Sequence, residues 1–196
     1  MSDYAEQNAK KIMDSTSGPV IHALIKEAVE LVRSNLPFGW KAERITTMAT
    51  SLSTLITPFT PCKDGCSHCC HMAVAVSDHE AKQISKYSGR PMYTEGHSID
   101  EWDEEYTKTL QSKYTGVICP FLRDAQCSIY PVRPLACRLH HNLEATADNC
   151  KITGDRNNLP STPVLNLSEF MMAQAAVQYL GGCKFADIRE FFPKDA

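Results

Sequence analysis

The residues best suited to chemistry are the cysteines, of which there are nine in 196 residues. Four of them crowd into nine positions, Cys62-Lys-Asp-Gly-Cys66-Ser-His-Cys69-Cys70, with His71 next. Thiolate is a soft ligand that selects zinc, cuprous copper or iron–sulfur clusters. Separations of two or three residues let successive sulfurs converge on one centre from a turning backbone, and Gly65 permits the turn at positive φ. Cys69 and Cys70, being neighbours, are expected to point in different directions and so to serve different centres. A second run reads Cys119-Pro-Phe-Leu, then Cys127-Ser-Ile-Tyr130-Pro-Val-Arg133-Pro-Leu-Ala-Cys137-Arg138, with Cys150 after it. These cysteines are too widely spread for a local chelating loop. They make sense as ligands to a centre, or centres, shared with the first run. The predicted ligand set is therefore Cys62, Cys66, Cys69, Cys70, Cys119, Cys127, Cys137 and Cys150. Eight thiolates exceed what one ion takes, so two four-ligand sites, or one cluster plus a second site, fit the count better.

Other side chains near the cysteines have two readings each. His68, His71, His140 and His141 could ligate, but with eight thiols at hand they are expected to be hydrogen-bonding or exposed neighbours. Arg133 and Arg138 could donate to thiolate or cluster sulfurs, since four thiolates around a divalent zinc leave excess negative charge; ordinary ion pairing in a turn is the alternative. Tyr130 is expected in the core rather than capping the site. Cys183, outside both runs, reads as a small buried hydrophobe. The run Asp100, Glu101, Asp103, Glu104, Glu105 reads as a solvated helix face. No Ser/His/Asp signature, phosphate-binding loop or dinucleotide fingerprint is present, so catalysis has no independent support.

The choice between ligands and disulfides rests on compartment. The N-terminal MSDYAEQNAKKIMD has no apolar h-region, and no stretch approaches 18 apolar residues. A cytoplasmic protein without a membrane span is expected, in which thiols stay reduced and close cysteines serve as ligands. Hydrophobic residues are 43% of the chain, enough for a core that needs no staple. With Lys+Arg at 20, Asp+Glu at 23 and a net charge of −3, no dedicated nucleic-acid surface is expected.

The elements that must position these residues are mostly helical. Residues 3–57 read as helices broken at Ser17-Gly18-Pro19 and at Leu36-Pro37-Phe38-Gly39. The first break is followed by Val20, Leu24, Ala28, Leu31 and Val32 at helical spacing, the second by Ile45, Met48, Leu52, Leu55 and Ile56. After the first cysteine loop and an apolar alternation over Met72–Val76, Ser77-Asp78-His79-Glu80 is a capping box opening a helix to about Ser88, with Gly89 as its stop. Ser98–Glu101 repeats the signal for a helix carrying Ile99, Trp102, Tyr106 and Leu110 and ending near Gly116. The two cysteine regions lie roughly 50 residues apart in the chain, and a helical hairpin between them would bring them together. A loop over 151–165, a helix from Ser168 to Leu180, a Gly181-Gly182 stop and a Phe-rich tail complete the chain. The predicted fold is mainly α, a single helical domain with irregular cysteine-rich metal-binding loops. Its expected parts are a helical scaffold over 1–57, a cysteine-cluster region over 58–152, and a C-terminal loop and helices over 153–196.

The string CKDGCSHCCH, then CPFL, CSIYPVRPLACR and Asp148-Asn149-Cys150, resembles the bacterial cysteine-cluster proteins of the CxxCxxCC family, described as a zinc- or iron-chelating domain. The resemblance spans roughly residues 60–150. It implies bound zinc or iron, with a [4Fe–4S] cluster among the forms, and no settled reaction. Cys62-x3-Cys66-x2-Cys69 is also the spacing of radical S-adenosylmethionine enzymes. Those require a long alternation of strands and helices after the motif, which this chain lacks, and they leave the second cysteine region unexplained. The expected function is thus metal binding through eight thiolates, with the metal ion as the expected partner and no protein partner indicated. An iron–sulfur-dependent redox or modifying enzyme is the alternative.

Overall fold

Three helices open the chain where the apolar periodicity places them: α1 (Asp3–Asp14), α2 (Ser17–Arg33) and α3 (Phe38–Ile56). The computed structural model describes residues 1–63, 65–101, 104–152 and 162–194. The expected loop over 151–165 falls largely outside these residues, as do Trp102 and Asp103. Later come α4 (Asp78–Ser88), α5 (Glu104–Tyr114), the short α6 (Leu135–Leu139), α7 (Ser168–Leu180) and α8 (Ile188–Phe191). The described strands are only two or three residues long: β1 (Ala75–Ser77) pairs antiparallel with β4 (Phe185–Asp187), and β2 (Leu122–Arg123) with β3 (Gln126–Cys127). The protein is mainly α. Strands this short cannot supply the scaffold a radical S-adenosylmethionine enzyme needs.

The residues group into two compact units. The first comprises Met1–Lys63, Arg138–Asn149 and Thr162–Gly181, and is built on α1, α2, α3 and α7. Helix α2 packs against α1, α3 and α7, and α3 also meets α7. Apolar stripes at helical spacing drive this packing: Ile12, Ile21, Ala28, Ile45, Met48, Leu52, Ile56, Phe170 and Val177 are all buried. On α2 the buried partner is Ile21, and Val20, expected in the stripe, is exposed. The polar face of α3 satisfies itself, because Thr46, Thr47, Thr50, Ser51 and Thr54 each donate a hydroxyl to the carbonyl one turn back.

The second unit comprises Asp64–Cys137, Cys150–Ser161 and Gly182–Ala196. Its core gathers Val76, Ala81, Ile84, Phe121, Ile129, Ala186, Ile188, Phe191 and Phe192, with Cys119 and Cys127 packed against it. Phe121 and Phe192 meet edge to face, their centroids 5.0 Å apart. The C-terminal tail is therefore a core element of this unit, which its three-residue strand and four-residue helix were too short to announce. The capping box on α4 is complete. Ser77 Oγ accepts from the Glu80 amide, the Glu80 carboxylate accepts from the Ser77 amide, and Gly89 closes the helix at φ 72°. The second capping signal makes a short 3-10 turn, Ile99–Glu101, in which the Glu101 carboxylate accepts from the Ser98 amide. The described α5 begins at Glu104, and the acidic residues around that start are exposed.

Candidate metal centre

The first cysteine run is shaped by Gly65, at φ 82°, and by a 3-10 turn over His68–His71. The Cys70 amide donates to the Ser67 carbonyl at 3.0 Å and the Met72 amide to the Cys69 carbonyl at 3.1 Å. The second run reaches the first through its backbone: the Gly116 amide donates to the His71 carbonyl at 2.7 Å, and the Cys119 amide to the Cys70 carbonyl at 2.8 Å. Backbone hydrogen bonds thus bring the two cysteine segments together. Cys119 and Cys127 flank the β2–β3 hairpin, whose tip, Asp124-Ala125, holds φ of 49° and 58°. Cys137 arrives on α6, and the first amide of that helix, Leu135 N–H, is held by the Glu80 carboxylate at 2.8 Å.

Five thiols of the second unit lie close enough for one charge to oppose the next. Cys70 is influenced by Cys69, Cys119 and Cys137, and Cys137 by Cys69, Cys119 and Cys127. Cys69 and Cys70 share a hydrogen bond between their thiols, so the adjacent pair acts together, contrary to the divergence expected of neighbours. That bond, with the Arg133 guanidinium nearby, lowers Cys69 to about 7 despite its burial. Cys70, on the donor side of the pair, is pushed well up. Burial raises Cys119 to about 11 and also lifts Cys127 and Cys137. Opposing this, the Phe121 amide donates to the Cys119 sulfur and the Ile129 amide to the Cys127 sulfur, each from two residues further on. Arg189 acts on Cys119, and Arg133 on Cys127, in the same direction. Burial outweighs these contributions at Cys119 and Cys127, so their thiols stay protonated unless a cation supplies the compensating charge. Among the described residues, no three Cys, His, Asp or Glu side chains are already converged on one coordination centre. The fit to a metal thus lies in the donor chemistry and the gathering of the thiols.

The other predicted ligands are placed as follows. Cys66 is half-buried and Cys150 buried, both in the second unit. Cys62 belongs to the first unit, where its sulfur accepts from the Asn142 amide at 3.5 Å. His71 Nδ1 faces the Ser67 carbonyl at 3.2 Å, and His141 Nε2 faces the Ser53 hydroxyl at 3.0 Å. His140 departs from that expectation: its Nε2 is buried with no partner among the described residues, and burial lowers its pKa. Arg133 lies beside the thiols, as its effect on Cys69 and Cys127 shows, and stacks 3.7 Å from the Tyr130 ring. Tyr130 is 55% exposed, not core; its ring covers the guanidinium rather than an apolar contact. Arg138 is buried in the first unit and donates to the Thr50 hydroxyl. Cys183 is buried, as expected, and burial together with the nearby Asp78 carboxylate raises it to about 12.

Two features of the site had no signal in the sequence. Glu80 reads as a capping residue, and its second bond, to Leu135 N–H, spans 55 positions that no local pattern encodes. Asp187 and Arg189 lie in the tail, far from any cysteine motif.

Residues 61–159 match the family model CxxCxxCC, described as a "putative zinc- or iron-chelating domain". The match covers just over half of the 196 residues and takes in all eight predicted ligands. The chain belongs to this family. Membership in the CxxCxxCC family supports metal binding by the cysteine region. Comparison with curated proteins and with solved structures gives no match. No described helix is long and apolar enough to cross a membrane.

Proposed function

We propose that this CxxCxxCC protein chelates zinc or iron through the thiolates of Cys69, Cys70, Cys119, Cys127 and Cys137. The observation that carries the reading is the gathering of these five thiols from separate segments into one electrostatic cluster. Cys62, Cys66 and Cys150 are proposed as further ligands on the sequence pattern alone. A bound cation would supply the positive charge that buried thiolates need and would tie the cysteine-bearing segments together. The chain's own residues prepare for it. The Phe121 and Ile129 amides are aimed at sulfur, Arg133 sets a guanidinium among the thiols, and the Cys69–Cys70 hydrogen bond keeps one sulfur of the pair easily ionised. The role that follows is structural: the metal fixes the turn over residues 68–71, the β2–β3 hairpin and the start of α6.

Anaerobic purification followed by elemental analysis and a visible spectrum tests this. Stoichiometric zinc in a colourless protein is the outcome expected of the structural role. Brown colour with acid-labile sulfide marks an iron–sulfur cluster and opens the enzymatic alternative. Cys119→Ser and Cys137→Ser should each lower the metal content, whereas Cys183→Ser should keep it. Finding neither zinc nor iron in the wild-type protein overturns the proposal.

A further inference from the structure

We infer that Arg189, seated on Asp187, is the positioning residue that holds the two cysteine segments in register; the inference rests on the metal-binding reading above. Both residues lie outside the family-matched stretch, so the centre depends on a part of the chain that the cysteine motif does not include.

Every nitrogen of the Arg189 guanidinium is engaged. Nη2 donates to the Cys70 carbonyl at 3.2 Å, the Met72 carbonyl at 3.0 Å and the Val117 carbonyl at 2.6 Å. Nε also donates to the Val117 carbonyl, at 3.1 Å. Nη1 donates to both Asp187 oxygens, at 3.0 and 3.2 Å. One side chain thereby bridges Cys70–Met72 in the first cysteine segment to Val117, two residues before Cys119 in the second. Asp187 completes the device, since its Oδ2 accepts from the Val74 amide at 2.6 Å and its Oδ1 from the Arg189 amide at 2.8 Å. The two side chains are only 6% and 1% exposed. A buried ion pair is weak evidence of stability by itself, because desolvation opposes its attraction. This one fixes geometry: a planar fork with five N–H donors can serve three carbonyls and a carboxylate together, and a lysine ammonium cannot.

The test compares full-length wild type with Arg189→Lys and with Phe191→Leu. Phe191 is a fully buried neighbour in the same short helix, and no hydrogen bond ties its side chain to the cysteine segments. Cobalt(II) is titrated into each metal-free protein, reading affinity and the intensity of the sulfur-to-cobalt charge-transfer and d–d bands. Loss of a group that orients metal ligands typically costs about 10–100-fold in affinity. Arg189→Lys should therefore bind cobalt at least about tenfold more weakly, with altered d–d bands. Phe191→Leu should keep the wild-type spectrum and affinity even where it lowers the melting temperature as much. Unchanged affinity and spectrum in Arg189→Lys overturn the inference, and so does an equal loss of affinity in Phe191→Leu at equal loss of stability. Alkylation of the metal-free proteins by iodoacetamide, mapped by peptide mass, separates the inference from the reading beneath it. If wild type binds no metal, the metal-binding reading fails; Cys70 and Cys119 alkylating faster in Arg189→Lys than in wild type then still supports the clamp, and equal rates overturn it.

Discussion

The two units are stabilised by different means. In the first, helices of 12 to 19 residues carry apolar stripes long enough to bury one another, and the hydroxyls of α3 fold back onto their own helix. In the second, most described elements run two to five residues, and among the described residues only α4 and α5 reach eleven. Such pieces share one apolar core, in which Phe121, Ile129, Phe191 and Phe192 are buried. Long-range side-chain bonds to backbone add to it: Arg189 to Cys70, Met72 and Val117, Glu80 to Leu135, and Arg90 to the carbonyls of Pro120 and Pro193. A segment whose order depends on such point attachments is one that a metal ion can complete.

The largest effect that could break this contrast is metal removal. With free metal at about a thousand times Kd, binding stabilises the unit that holds it by about 4 kcal/mol. Chelation should therefore speed amide exchange in the second unit while helices α1, α2, α3 and α7 keep their protection. Uniform deprotection, or none, refutes the contrast. Next in size, Leu52→Ala should cost about 3 kcal/mol, because this side chain is fully buried in the helical packing and leaves a cavity. A loss under about 1 kcal/mol in denaturant titration would mean that the first unit does not rely on its apolar stripe.

Alkaline pH sharpens the comparison from the side of the second unit. Burial holds the Cys119 thiol up at about 11, against about 8.5 for an unfolded thiol. The folded metal-free protein thus keeps a proton that the unfolded chain releases. Its contribution is complete below about pH 8.5 and is lost as pH climbs towards 11. Melting temperature of the metal-free protein should decline over that window, whereas the metal-loaded protein, its thiols already ionised, should not follow. The smallest expected effect is a gain. Ala125 sits at φ 58° at the hairpin tip, where a side chain costs roughly 1 kcal/mol, so Ala125→Gly should raise stability by about that much. Differential scanning calorimetry decides its sign.

The first unit was the more legible of the two for the same reason that it is helical. Apolar spacing and turn signals placed α2, α3 and α7 within a residue or two, because those signals are local, as is the capping box that placed α4 in the second unit. The cysteines announced their chemistry through residue type and spacing, and five of them influence one another's ionisation, though among the described residues no three converge on one centre. What stayed hidden depends on partners distant in the chain. The tail reads as a leftover until Phe191 and Phe192 are seen in the core, and Tyr130, an aromatic in an apolar setting, turns outward to cover Arg133. Arg189 looks like any surface arginine until its three carbonyls are located.

Glu80 carries one more implication. Its Oε2 serves the start of α4 while its Oε1 serves the first amide of α6, the helix that bears Cys137. Two helix starts, at Asp78 and at Leu135, therefore share a single carboxylate. Truncation, as in Glu80→Ala, strands donors at both places simultaneously. That makes residue 80 a joint point of vulnerability, where an ordinary-looking capping residue also holds the start of the helix that bears Cys137.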